Sequence, residues 1–332
     1  MSMRERFISV IIPCRDSEAT LDHCLRAAFA SNYGSFEVVV VDDASTDGSR
    51  DIMRRYPCRV IGLESRVGVS GARNLGAQHS RGEILFFIDA DCLLQEDSLS
   101  IVNKSFQAGA RVLGGTYTPI PWDSHNFFST FQSVFVNYHE TRGEPDYIAA
   151  HCLAVEKEIF QKLNGFIEGS YIGFEAGVED VEFSHRLRRS GYNLSMHPGL
   201  MVRHIFNFTF LGSLKNAYKK SKLWTMYSLG NRDLLKSSGT ASIGLKFNTL
   251  VYFSAAFLLL ASVFYGPILL APLPVLAALN VYLNSGLLRA YHRARGAMYA
   301  LRAAAYYFLV YPLAVGMGAA AGVINYLGVK SR

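Results

Sequence analysis

Carboxylates gather at three places in this chain, each with a neighbourhood that suggests a use. Val38-Val39-Val40-Val41-Asp42-Asp43 and Phe86-Phe87-Ile88-Asp89-Ala90-Asp91 are short apolar runs that end abruptly in acids. That pattern fits buried parallel strands whose carboxyl ends open onto a crevice, where open α/β sheets bind ligands. On an extended segment Asp89 and Asp91 lie on the same side. Acids there can hold a divalent cation and, through it, a phosphate-bearing substrate. The third place, Gly177-Val178-Glu179-Asp180, sets a carboxylate pair just ahead of an amphipathic helix, where a general base could sit. Each group also has a purely structural use, as a turn or as a helix cap.

The elements that must position these acids alternate in type. Phe7 to Ile12, Phe36 to Val41, Arg59 to Leu63 and Ile84 to Ile88 read as strands, the first stopped by Pro13. Ser17 to Ala30, Ser49 to Tyr56 and Gly68 to Arg81 read as helices between them. The order argues for βαβ units and a mostly parallel sheet. Further strands are expected over Arg111 to Tyr117 and Ile148 to Val155. Further helices are expected over Phe127 to Tyr138, Lys157 to Leu163 and Glu179 to Ser190, the last ended by Gly191.

Composition narrows the class. Of 332 residues, 50% are hydrophobic, and the excess lies toward the C-terminus. The net charge of +6 admits nucleic acid, an anionic membrane surface or phosphorylated ligands. The basic residues cluster beside the apolar tail and no nucleic-acid motif is visible, which favours the membrane and leaves nucleic acid out. Cys14, Cys24, Cys58, Cys92 and Cys152 form no C-x-x-C pair and fit reduced thiols in a cytosolic compartment. No signal peptide precedes the first strand, so the first domain is expected in the cytoplasm.

From Phe206 to Lys236 aromatic residues mix with Lys215, Lys219, Lys220 and Lys222, as in helices lying in the headgroup region. Three apolar runs follow, 247–264, 267–284 and 303–327, each near the length of about 20 residues that crosses a bilayer. Arg289, Arg293, Arg295 and Arg302 mark the loop between the second and third as cytoplasmic. Pro267, Pro272 and Pro274 leave a re-entrant course open for the second run. The expected organisation is therefore 1–205, 206–240 and 241–332: catalytic domain, amphipathic interface helices and transmembrane region.

Ile8 to Pro13, Val41-Asp42-Asp43-Ala44-Ser45-Thr46-Asp47, Gly71-Ala72-Arg73-Asn74-Leu75-Gly76, Asp89-Ala90-Asp91 and Glu179-Asp180 stand in the order found in family 2 glycosyltransferases. The resemblance covers residues 7 to 205. It implies a GT-A fold, a Rossmann-like α/β architecture, with a nucleotide-sugar donor, a divalent cation and inversion at the anomeric carbon. It implies that Asp43 hydrogen-bonds the nucleotide base, that Arg73 faces the pyrophosphate, and that Pro13 and Arg15 line the donor site. Asp91 would touch the metal, Mg²⁺ or Mn²⁺, and Asp89 the ribose or a metal-bound water, with His204 completing the site. Asp180 would be the catalytic base and Glu179 its positioning or acceptor-contacting neighbour. His151 has no role assigned by either route.

Two departures bear on function. Arg15 and Asp16 stand where the family usually has Tyr-Asn, so stacking on the base differs. Processive members carry Q-x-x-R-W, whereas this chain has Leu223 before Trp224, which argues against a polymer-extruding synthase. The expected function is a multi-pass enzyme of the bacterial inner membrane with its catalytic domain on the cytoplasmic face. It would move a sugar from a nucleotide diphosphate sugar, with UDP the favoured carrier, to a hydroxyl of a lipid or lipid-linked acceptor. Transfer to a polyprenyl phosphate is the alternative. Such an acceptor needs no base, which Glu179-Asp180 disfavours.

Overall fold

The computed structural model describes residues 5–123, 125–168 and 177–330. They divide into two compact units, Met1–Ser124 with Glu140–Asn207, and His125–His139 with Phe208–Arg332.

The first unit is an α/β domain. Its elements run β1 (Ile8–Cys14), α1 (Glu18–Phe29), β2 (Phe36–Asp42), α2 (Ser49–Met53), β3 (Arg59–Gly62), α3 (Gly68–His79), β4 (Ile84–Ile88), β5 (Cys92–Leu94), α4 (Ser98–Gln107) and β6 (Val112–Tyr117). After α5 (Phe127–Glu140) come β7 (Cys152–Glu156), α6 (Lys157–Lys162), α7 (Glu179–Arg189) and β8 (Ser195–His204). The strands form one eight-stranded sheet in the order β3-β2-β1-β4-β7-β6-β8-β5.

The half β3-β2-β1-β4 is parallel, as expected. The other half is not, so the sheet as a whole is mixed. β7 runs antiparallel to both β4 and β6, β6 runs parallel to β8, and β5 runs antiparallel to β8. An apolar run signals a buried strand but carries no direction, so the reversals at β7 and β5 appear only in the structure, and the expected mostly parallel sheet holds. β5 and β8 were not read at all. β5 has only three residues, and β8 carries Pro198 and Gly199.

Burial explains the frame. Val10 to Ile12 of β1, Val38 to Val41 of β2 and all of β4 are enclosed, which requires cover on both faces. α3 approaches one face closely at Gly76, where a Cβ would stand 2.5 Å from Cγ2 of Ile11 and 3.2 Å from Cγ2 of Val41. Because β1, β2 and β4 run the same way, Cys14, Asp42 and the residues after Ile88 emerge at one edge. β1 continues through Pro13, which still pairs with Val41, rather than stopping at it.

The second unit is helical. Its elements are α5, α8 (Phe210–Asn231), α9 (Ile243–Tyr265), a 3-10 turn (Pro267–Leu270), α10 (Leu273–Leu309) and α11 (Tyr311–Lys330). Phe131 of α5 stacks on Tyr291 at 5.2 Å and meets Tyr306 edge-on at 4.8 Å, which ties α5 to α10. Asn248, Asn280 and Asn284 are buried and satisfy one another. Asn248 donates to the Tyr307 carbonyl, Asn280 to Asn248 Oδ1, and Tyr307 Oη to Asn284 Oδ1. Such a network is tolerable in an apolar setting only when complete.

Among the described residues, two stretches are long and apolar enough to cross a membrane, Ile243–Tyr265 and Pro267–Gly328. In the first only 6% of the most apolar window is buried, whereas the core helix of a soluble protein would be enclosed. The arginine-bearing segment 289–302 is helical within α10 rather than a loop, and the helix is interrupted at Gly296, whose φ is 79°. Ala and Arg favour helix on either side of Gly296, and the break there joins two helices within the arginine-bearing segment.

Candidate active site

The site forms at the carboxyl ends of β1, β2 and β4. Asp42 is fully buried and serves the fold. Its carboxylate accepts from the Ser45 amide at 2.9 Å and from Nε of Arg50. Asp43 accepts from the amides of Val67 and Gly68 at 2.6 and 3.0 Å, pinning the entry to α3. A carboxylate has further acceptor capacity, so this bonding leaves room for a base N–H. Asp16, at φ 46°, accepts from the Thr46 amide at 2.8 Å, and Arg15 lies 3.4 Å from its carboxylate. The loops after β1 and β2 thus brace each other where the departure from Tyr-Asn occurs.

Arg73 of α3 is the hub. Its side chain is 5% exposed. Nη2 donates to Asp89 Oδ1 at 2.7 Å and Nη1 to Glu179 Oε1 at 2.8 Å. Its plane also lies over the Phe166 ring at 5.6 Å. Two carboxylates outweigh the cost of burial and keep the guanidinium charged. Burial alone would raise the Asp89 pKa, but Arg73, aided by His151 and His204, holds it below the usual carboxylate range. The resemblance aims Arg73 at pyrophosphate. In this structure it spends both terminal nitrogens on protein carboxylates.

Asp91 faces His204 across the β5–β8 pairing, with Oδ2 and Nε2 3.5 Å apart. Burial, then the charge of Asp89, pushes its pKa up to about 7. Two acids crowded in this way are relieved by a cation, and carboxylate with imidazole is a donor set that suits Mn²⁺ or Mg²⁺. The residues therefore fit a divalent ion. Cys92 Sγ also lies within the 4.8 Å cluster formed with Asp91 and His204. Burial holds it as a neutral thiol, however, which is a poor ligand for either ion.

Asp180 opens α7. Its Oδ2 accepts from the Ala150 amide at 3.2 Å and its Oδ1 from the Val181 amide at 2.8 Å. Burial, then Glu179, pushes its pKa up to about 6, against the pull of Arg73 and those amides. A carboxylate so placed is ionised at neutral pH yet basic enough to take a proton. Glu179 also accepts from the Gly177 amide at 2.8 Å.

His151 follows the residue whose amide holds Asp180. Its ring stacks on Tyr117 at 4.0 Å, and Nε2 is 3.6 Å from Glu140 Oε2, which accepts from Thr116 Oγ1. Tyr117 also packs edge-on against His204 at 4.9 Å. The structure thus gathers Asp89, Asp91, Arg73, Glu179, Asp180 and His204, and adds Tyr117 and the Ala150 amide. No local pattern announced the last two, because both depend on strand pairing.

Residues 9–163 match the family model for glycosyl transferase family 2. Glycosyltransferase AglE of Haloferax volcanii is 38% identical over 93 residues, which is 26% of this chain and 31% of that protein. Glycosyltransferase GlyG of Streptococcus pneumoniae is 28% identical over 127 residues, 36% of this chain and 42% of that one. The chain therefore spans less than half the length of these relatives. A mannosyltransferase from Pyrobaculum calidifontis, solved in complex with GDP-Man and Mn²⁺, superposes with a TM-score of 0.56 at 19% identity, covering 98% of this chain and 88% of that one. Sequence and fold agree in direction: residues 9–163 match the glycosyl transferase family 2 model, and the α/β unit has a GT-A-like fold.

Proposed function

We propose that this protein is a membrane-bound, inverting glycosyltransferase that moves a sugar from a nucleotide diphosphate sugar to a hydroxyl of a lipid or lipid-linked acceptor. The observation that carries this reading is Asp180. It is held by two backbone amides, its pKa is near 6, and Glu179 and Arg73 link it to Asp89. A base is needed only where the nucleophile is an alcohol, which must lose a proton as it attacks. One displacement with one base gives inversion.

Asp91 and His204, with Asp89 beside them, would hold Mn²⁺ or Mg²⁺. A bound cation there would neutralise charge on the departing diphosphate. Asp43, with Pro13 and Arg15 beside it, would orient the nucleotide, for which UDP is the favoured carrier. The Pyrobaculum complex with GDP-Man and Mn²⁺ supports a nucleotide sugar and a divalent ion as donor and cofactor. Arg73, which bonds both Glu179 beside Asp180 and Asp89, supports a site in which the base and the metal-binding acids act on one substrate.

Location follows from the two apolar stretches and the arginines of α10. The catalytic unit would sit on the cytoplasmic face of a bacterial inner membrane, anchored by more than one crossing, with the lysines of α8 in the headgroup region.

The test is nucleoside diphosphate release by detergent-purified protein with Mn²⁺, across a panel of nucleotide sugars, with and without polyprenyl phosphate. Slow hydrolysis that is indifferent to that lipid and lost in Asp91→Ala supports the reading. Turnover that requires the lipid phosphate and survives Asp180→Asn overturns it in favour of a polyprenyl-phosphate acceptor.

A further inference from the structure

His151 is buried, and its backbone and its ring reach two sides of the site. The Cys152 amide donates to the Ala149 carbonyl at 3.1 Å, so Ala150 and His151 are the central residues of a turn. The Ala150 amide donates to Asp180 Oδ2 at 3.2 Å. Two residues earlier, the Ile148 amide donates to Ser184 Oγ at 3.0 Å. Asp180 and Ser184 stand one turn apart on α7 and share a face, so the stretch before β7 is fastened to the helix at both. Cys152 pairs with Ile88 in the antiparallel ladder, and the next residues along the two strands are His151 and Asp89. The turn therefore adjoins both the base and the first acid of the D-x-D pair.

The ring of His151 is held from two directions. It stacks on Tyr117 at 4.0 Å and 21°. Tyr117 ends β6 and packs edge-on against His204 at 4.9 Å and Phe206 at 5.4 Å. At the far side of the ring, Nε2 is enclosed without a hydrogen-bond partner and faces Glu140 Oε2 at 3.6 Å. That is too long for a hydrogen bond but close enough for attraction. Glu140 is itself buried and accepts from Thr116 Oγ1 at 2.6 Å, and no lysine or arginine pairs with it among the described residues. A buried carboxylate in that condition draws the proton-bearing nitrogen of the imidazole toward it and sets the rotation of the ring. With stack and rotation fixed, the turn keeps one direction for the Ala150 amide.

We propose that His151 is a positioning residue for the base: its ring, stacked on Tyr117 and held by Glu140, sets the turn that aims the Ala150 amide at Asp180. The proposal rests on the reading of Asp180 as base and deepens it by naming what holds that base in place. Because Tyr117 also backs His204, one aromatic stack fixes the base and a metal-binding residue relative to each other.

The test is made in a Glu140→Gln background, so that no change at His151 leaves a buried charge unpaired. The whole chain, purified in detergent with Mn²⁺, is assayed on the nucleotide sugar it hydrolyses fastest. Against Glu140→Gln alone, adding His151→Ala is expected to lower kcat by about ten-fold or more. It should also move the acid limb of kcat/KM up by about one pH unit, because the Ala150 amide favours the ionised Asp180 while Glu179 and Arg73 stay in place. Affinities for the nucleoside diphosphate and for Mn²⁺, read by titration calorimetry, should change by less than about three-fold. His151→Phe in the same background keeps a ring to stack, and should recover most of the kcat and return the limb. His151→Leu fills the space without a flat ring and should behave as His151→Ala does, which keeps the test open if the Ala protein fails to fold. An acid limb that stays put in the Ala and Leu proteins overturns the proposal, as does a loss confined to diphosphate binding. So does a Phe protein as impaired as the Ala protein. Asp180→Asn is assayed alongside. If its acid limb vanishes while the His151 variants keep theirs unmoved, the positioning role alone fails. A limb that persists in Asp180→Asn defeats the base reading itself.

Discussion

Arg73 donates to Glu179 at 2.8 Å across 106 positions of sequence, and the same guanidinium holds Asp89 at 2.7 Å. The acid that precedes the proposed base and the acid that opens the D-x-D pair therefore share one cation. Three elements, α3, the end of β4 and the start of α7, are fixed together at the candidate site.

This bridge makes Arg73 a point of failure for both stability and activity. Arg73→Ala leaves Glu179, nearly buried, and Asp89, one-third exposed, without their shared cation. Loss of one partner from such a cluster costs roughly 3–5 kcal/mol. A large fall in melting temperature is expected in detergent. Arg73→Lys should recover part of the stability but little of the activity, because an ammonium cannot span both acids in the plane a guanidinium offers.

The pH dependence should report Asp180. Its pKa is raised to about 6 by burial and Glu179, and it works as a base only when ionised. In free enzyme, kcat/KM is expected to fall as pH drops through about 6 and to be level above it. Asp180→Asn should abolish that limb and lower kcat by about 10²- to 10⁴-fold with donor binding intact. An unchanged acid limb in the variant would assign the titration to another group.

Metal binding should compete with protons at Asp91. With a pKa near 7, this carboxylate gives up a proton when the ion binds at or below neutrality. Apparent Mn²⁺ affinity is expected to rise with pH up to about 7 and then flatten, as titration calorimetry would show. His204→Ala should weaken Mn²⁺ binding, whereas Cys92→Ala should leave it unchanged, since the buried thiol stays protonated.

Truncation tests the division into units. Protein ending at Asn207 keeps α5 but removes Tyr291, Tyr306 and Tyr311, against which Phe131 packs. Exposed Phe131 and Phe135 should make this fragment aggregate, as size-exclusion chromatography would show. A monomeric, folded fragment would mean that α5 belongs energetically to the catalytic unit.

The acids of the candidate site were legible where the parallel strands β2 and β4 are apolar runs that end in carboxylates, and a strand end buried in this way has few uses other than binding. Asp89 and Asp91 could be picked out for that reason, and Asp180 from its place at the start of a helix and from the family resemblance. What was not legible depends on long-range pairing. His204 reaches Asp91 only because β8 pairs with β5, a strand of three residues. Asp180 is held by the Ala150 amide, a backbone group that no side-chain pattern reveals. Arg73 could be located, but its partners could not, since a guanidinium suits carboxylates as well as phosphates. In the second unit, charge marked 289–302 as a connection, and the structure narrows that connection to a break at Gly296 between two helices.

The most direct measurement compares Asp180→Asn with the unchanged protein, in detergent with Mn²⁺, for donor binding and for transfer to hydroxyl-bearing lipid acceptors. Donor affinity should match and transfer should fall by at least about 10²-fold. Full transfer by Asp180→Asn to an acceptor that is already an anion would contradict the hydroxyl-acceptor mechanism.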